Sequence, residues 1–210
     1  MVKQERAART RRALIQAAAE VFAEEGFVHA SLSTISKRAG VSNGALHFHF
    51  ANKRMLAEAV EAEAAETLRR ITEVAWASQS NSLQRVVDAT HELMGILAQD
   101  IVVRSGFELA ADIARRTESP LRRQWQHWVE DALRRAERSG TLAEGVSWMD
   151  GAGVIVAATT GFEVLGGSDA SWLSRQNITR FWEILLPRLA DRQGLEALMC
   201  AGSRPPTAAL

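Results

Sequence analysis

The chain has 210 residues, 47% hydrophobic and 24% charged, which fits a globular protein of one or two domains with a full core. Its 25 basic and 25 acidic residues cancel, which taken whole argues against a nucleic-acid binder. The single cysteine, Cys200, excludes an intrachain disulfide framework or a cysteine-based metal cluster, and no stretch approaches the roughly 18 apolar residues of a membrane span.

The chain opens Met-Val-Lys-Gln-Glu-Arg and continues charged, without the apolar core of a signal peptide, so a reduced cytoplasmic setting is expected. Leu14, Ala17, Ala18, Val21 and Phe22 then recur on one helix face, with Gly26 as a stop and Phe27 as an apolar anchor. Ser31 is placed to cap a short helix from Leu32 to Ala39. Gly40-Val41-Ser42 makes a tight break before a second short helix from Asn43 to Phe50. Asn52 can cap a long helix from Lys53 to Trp76.

Further helices are predicted over 82–98, 101–113, 121–138, 148–166 and 171–186, with a short one over 190–199. Residues 115–120 read as a loop, and Ser139-Gly140 and Gly166-Gly167 as helix ends. No strand or repeat is found, so the class is all-α. The division expected is a head over 1–52, a body over 53–200 and a disordered tail over 201–210. Tyrosine is absent, and all six tryptophans fall between Trp76 and Trp182, so the two halves differ in work.

The charge balance changes when the chain is divided. Residues 1–54 hold nine basic side chains against four acidic, a net of +5, and the remainder holds 16 against 21, a net of −5. A basic head points to nucleic acid or a membrane surface, although a solvated face has the same signature. Two short helices around a glycine-containing turn make a helix-turn-helix pattern. Ile35, Ala39, Val41, Leu46 and Phe50 would form its seam, and Gly40 supplies a positive φ.

The exposed end of the second helix would enter a major groove. Asn43 suits a bidentate contact to adenine, Gly44 and Ala45 allow close approach, and His47 and Lys53 suit phosphates. Ser33, Thr34, Ser42, Phe48 and His49 complete that surface, while Arg6 and Arg9, with Arg11 and Arg12, can grip the flanking backbone. The plainer readings are a helix-start role for Asn43 and internal packing for Phe48. His47 and His49 lie two apart on a helix and point to different faces, so no metal is expected.

These residues resemble the tetracycline-repressor (TetR) family of bacterial regulators. The similarity runs from Arg9 to Leu56 and rests on Ala18-x-x-x-Phe22, Gly26-Phe27, Ile35-x-x-x-Ala39-Gly40-Val41-Ser42 and Phe50-x-x-Lys53-x-x-Leu56. It implies a three-helix DNA-binding head on a helical ligand-binding and dimerising body. The family acts as homodimers on pseudo-palindromic operators, usually as repressors released by a small molecule.

Ala45-Leu46-His47-Phe48-His49-Phe50 and Gly161-Phe-Glu-Val-Leu-Gly-Gly167 look like the γ-butyrolactone receptors of antibiotic-producing actinomycetes. Within that group the chain is similar to butenolide-sensing receptors and to pseudo-receptors, some of which respond to antibiotics. His47 stands where that group usually has tyrosine, which would make its phosphate contact pH-sensitive.

The resemblance places Trp125 at a pocket tryptophan. Phe107, Trp128, Val156, Thr160 and Phe162 are further ligand candidates, as is Glu63 on the helix joining head to body. Each has a packing or solvated alternative, and Thr160 can bond its own helix instead. Dimerisation is expected through Ala157, Ala158, Gly161, Leu165, Phe181, Trp182 and Leu185 in a four-helix bundle. Nothing calls for a cofactor or membrane partner, and no phosphate loop, nucleophile elbow or metal spacing marks an enzyme. A helical adaptor without a small-molecule ligand is the remaining alternative.

Overall fold

The computed structural model describes residues 2–111 and 120–203, which hold ten α-helices and one 3-10 turn. In chain order the helices are α1 (Val2–His29), α2 (Leu32–Arg38), α3 (Asn43–His49), α4 (Lys53–Ala77), α5 (Ser82–Gln99) and α6 (Ile101–Ala111). They are followed by α7 (Pro120–Arg138), α8 (Trp148–Gly166), the 3-10 turn Ala170–Leu173, α9 (Arg175–Leu189) and α10 (Arg192–Leu195). None of the described helices is long and apolar enough to cross a membrane.

Contacts divide the chain into two compact units: Met1–Thr67 with Asp100–Leu121, and Leu68–Gln99 with Arg122–Leu210. Their boundary falls inside α4, after the expected one at 52/53, and assigns α6 to the first unit. In that unit Leu14, Val21, Phe22, Ile35, Leu46, Phe50, Leu56, Val60 and Leu109 form one buried cluster. Gly26 interrupts α1 at φ 74°, a left-handed value that favours glycine, and one more turn carries the chain to His29. A Cβ on Gly106 of α6 would lie 2.5 Å from the Ala64 Cβ on α4, so that crossing admits no side chain.

The second unit packs α5 against α8 and α9. Leu83, Val87, Leu93, Leu97, Trp125, Leu133, Ile155, Leu173, Ile178, Trp182 and Leu186 are among its buried residues. The predicted helix over 171–186 is two elements. Ser174 has extended backbone and its hydroxyl accepts the Asn177 N–H at 3.3 Å, so it caps α9 anew. An isolated bridge joins Leu142 to Ala190 and ends α9, leaving only Arg192–Leu195 of the helix predicted over 190–199. Residues 112–119, including most of the predicted loop 115–120, lie outside the described residues.

Residues 201–203, assigned by composition to the disordered tail, are fastened to α5; residues 204–210 lie outside the described residues. Gln84 and Met199 exchange hydrogen bonds, His91 Nε2 meets the Cys200 carbonyl at 2.8 Å, and the Ser203 N–H donates to Asp88 at 2.7 Å. Arg175 of α9 donates to the Ala201 carbonyl.

Burial pushes the His91 imidazole below its usual value, with Arg175 adding to that effect and the Cys200 carbonyl and Asp88 opposing it. The unfolded chain therefore binds the His91 proton more readily than the folded one. Stability from this group is present above the ordinary histidine value of about 6.5 and is lost as pH falls below it. Thermal melts between pH 7 and pH 5 (both about the histidine range) should fall less steeply for His91→Gln, and an unchanged slope would refute the assignment.

Candidate nucleic-acid interface and small-molecule site

The turn between α2 and α3 is built by its small polar residues. Ser31 Oγ accepts the Thr34 N–H at 3.0 Å and Ser42 Oγ accepts the Ala45 N–H at 3.1 Å, so each starts its helix. Gly40 takes φ 68°, and the Val41 N–H closes on the Ser36 carbonyl at 3.0 Å. Ser36 is buried and donates to Asn43 Oδ1 at 2.5 Å, so a side chain invisible to the motif fixes the first residue of α3. That bond uses one acceptor position of the Asn43 side chain, and the residue stays exposed.

Ser33, Ser42, Asn43, Gly44, His47 and Phe48 are exposed, and Thr34, Ala45 and His49 are half-buried. Phe48 is 81% exposed with its ring edge-on to His49, which removes the internal-packing alternative. Arg6 and Thr10 of α1 and Ser42, Phe48 and His49 line an open cleft of about 480 Å³.

The basic side chains of the head divide into tied and untied. Arg38 forks onto Glu24 at 2.9 and 2.7 Å and reaches Glu20 at 3.4 Å, and that hydrogen bonding holds the Glu24 carboxyl below its ordinary value. Arg54 pairs with Glu58. Arg11 lies 3.8 Å from Glu63 and 5.4 Å from the Phe50 ring centroid. Glu63, expected at the ligand, therefore faces an arginine of α1. Arg6, Arg9, Arg12 and Lys37 have no partner among the described residues. Lys37 was not singled out from sequence.

Lys53 corrects the phosphate expectation. Its ammonium donates to the carbonyls of Phe27, Val28 and Ala30 at 2.6, 3.0 and 2.8 Å and lies 4.8 Å from the Phe27 ring centroid. All three N–H donors are engaged. The residue caps the C-terminal end of α1, where helix carbonyls lack partners.

In the second unit Trp125 is buried and donates to Thr159 Oγ1 at 2.9 Å, which in turn donates to the Ile155 carbonyl at 2.9 Å. Thr160, the ligand candidate, is half-buried one residue on. Ile155 and Thr159, four apart, share the inward face, and 160 rotates away from it. Trp128 stacks on Trp125 with centroids 5.3 Å apart. Val156 and Phe162 are half-buried, and Phe162 lies against Phe181 and Trp172. Phe107 is buried and belongs to the first unit with Glu63. A half-buried fork from Arg122 onto Glu163, 2.9 Å at both contacts, ties α7 to α8.

Trp182 is fully buried within its own unit, packed on Phe181, so it is core and no interface residue. Ala157 and Leu165 are exposed, and Ala158, Gly161, Phe181 and Leu185 are half-buried. Val154, Val164 and Ile184 are large exposed apolar side chains on the same two helices that the sequence reading passed over.

Residues 14–60 match the model of the bacterial regulatory proteins of the tetR family. The chain is 30% identical over 195 residues to the A-factor receptor protein of Streptomyces griseus, covering 90% of this chain and 67% of the relative. The solved structure of a gamma-butyrolactone receptor described as ArpA-like superposes with a TM-score of 0.80 at 27% identity, covering 93% of this chain and 96% of that one. CprB from Streptomyces coelicolor, solved with its operator sequence, gives a TM-score of 0.77 at 27% identity over 91% and 94% of the two chains.

Proposed function

Because the chain belongs to the TetR family of bacterial regulatory proteins, we propose that it is a homodimeric, cytoplasmic, non-enzymatic repressor released from a palindromic operator by a small signalling molecule. The observation that carries this reading is the surface of α3. Asn43, Gly44, His47 and Phe48 are exposed on it, Arg6 lines the same cleft as Phe48, and Arg9 and Arg12 are likewise untied, while Arg38 and Lys53 are tied within the chain. Untied charge suited to phosphates, near a helix suited to groove reading, supports this reading. The names of the A-factor receptor and of the gamma-butyrolactone receptor support a butyrolactone- or butenolide-type effector.

The mechanism follows from linkage. The operator holds the two heads at one spacing, and an effector that binds better to another body conformation lowers operator affinity by that differential affinity. The test is footprinting of the promoter of its own gene, followed by titration of the complex with alkylated γ-butyrolactones and butenolides. Release of the DNA is expected, and retention in the presence of every such compound would refute that effector class.

The phosphate roles are tested separately. Arg6→Ala and Arg9→Ala should each weaken binding on all sequences alike and reduce the slope of log K against log salt by about 0.9. An unchanged slope would remove that residue from the interface.

A further inference from the structure

Ser36 is 2% exposed, and its one hydroxyl hydrogen faces two oxygens: the Ser33 carbonyl at 3.0 Å and Asn43 Oδ1 at 2.5 Å. The Ser33 carbonyl lies inside α2, where the N–H four residues on is its ordinary partner, so the hydrogen is free for the shorter contact. A separation of 2.5 Å fits an O–H···O bond and falls below the range of about 2.7–3.2 Å for N–H···O. Hence the oxygen, and not the nitrogen, of the Asn43 amide rests on Ser36. The turn fixes both residues: the Ser36 carbonyl accepts the Val41 N–H at 3.0 Å, and Ser42 caps α3. The Asn43 side chain has no other hydrogen bond among the described residues, and the residue is exposed. Its Nδ2 therefore keeps two donors without a protein partner. Asparagine reads adenine by donating to N7 while its oxygen accepts from N6, so both ends of the amide must meet one base edge. Guanine presents O6 and N7 there, both acceptors.

We propose that Ser36 is a positioning residue that sets the base preference of α3: with its oxygen held on Ser36, Asn43 meets the operator through its nitrogen and favours guanine over adenine. Anchored there, the amide does not turn to lay both of its ends along an adenine. This replaces the adenine contact expected from the residue type alone. The inference rests on the repressor reading above and names the base chemistry at one position of that surface. A serine that only supported the turn would, when lost, weaken binding to every operator alike.

The test uses the full-length protein and an operator that it selects from random duplex DNA, with each base pair then replaced by the other three. Asn43→Ala locates the contact as the base pair whose preference it flattens. There the wild type is expected to favour guanine over adenine by about tenfold, the order of one good side-chain contact. Ser36→Ala, which frees the amide oxygen, should move the preference to adenine, and the same change made on Asn43→Ala should move nothing. Should Ser36→Ala fail to fold, Asn43→Asp carries the test. It keeps an oxygen for Ser36 but donates nothing, and should favour cytosine, whose N4 donates. An adenine preference in the wild type, a Ser36→Ala protein weakened alike on all four bases, or an Asn43→Asp protein indifferent to cytosine overturns the proposal. An Asn43→Ala protein with every preference intact also overturns it and leaves the repressor reading standing. Selection that enriches no sequence removes both.

Discussion

Lys53→Met is expected to destabilise the head by about 3 kcal/mol while leaving the salt dependence of DNA binding unchanged. Three carbonyls at and just past the end of α1 accept from this one ammonium, and hydrogen bonds to charged groups contribute about 1.5–3 kcal/mol each before allowance for partial exposure. Methionine keeps the length and the contact with Phe27 but donates nothing, so these three bonds are lost. A phosphate-contacting lysine predicts the opposite pattern. Its loss would leave the thermal melt unchanged and take about 0.9 from the salt slope. A melting temperature lowered by several degrees, at about 2–4 °C per kcal/mol for a chain this size, supports the cap. Lys53→Arg should recover only part of it, because a planar fork fits three clustered carbonyls less well than a compact ammonium.

The same residue shows where sequence reading stops. The helix boundaries at Ser31, Gly40, Ser42 and Asn52 were legible because a cap or a positive φ is a local requirement that few residue types meet. The apolar face of α1 was legible because its period is local too, and Leu14, Ala17, Ala18, Val21 and Phe22 are all buried. Lys53 bonds carbonyls 23 to 26 residues earlier, and nothing in the pattern Phe50-x-x-Lys53 distinguishes a backbone partner from a phosphate. The fastening of residues 199–203 to Gln84, Asp88 and His91 spans more than 100 positions and was invisible for the same reason. Thr159 was accessible in principle, since Ile155 and Thr159 continue the inward face that Gly151 and Ala152 begin. Trp182 was misplaced because an aromatic on an apolar helix fits a core and an interface equally well by composition.

The same ambiguity bears on α8, where the second large effect is expected. Gly151, Ala152, Ile155 and Thr159 are buried within the subunit. Val154, Ala157, Ala158, Gly161, Val164 and Leu165 recur at three- and four-residue steps on the other side. On that side Val154, Val164 and Leu165 are 51%, 55% and 44% exposed, and Ile184 of α9 is 77% exposed. A helix apolar on both sides needs cover on both, and the small residues Ala157, Ala158 and Gly161 let a second helix come close. We propose that a second copy of the chain covers this face through a two-fold interface, in which each residue near the axis faces its own copy. Val164→Glu then sets two carboxylates against each other in an apolar interface, and Ile184→Glu does so from the other helix. Each variant should sediment as a monomer at micromolar concentration with its helical content intact. Operator affinity should fall by about 10²–10⁴, the factor lost when two half-sites are no longer engaged by one linked particle. A Val164→Glu protein that remains dimeric and binds DNA as before would move the interface off this face, and with it the spacing that lets two heads read one palindrome.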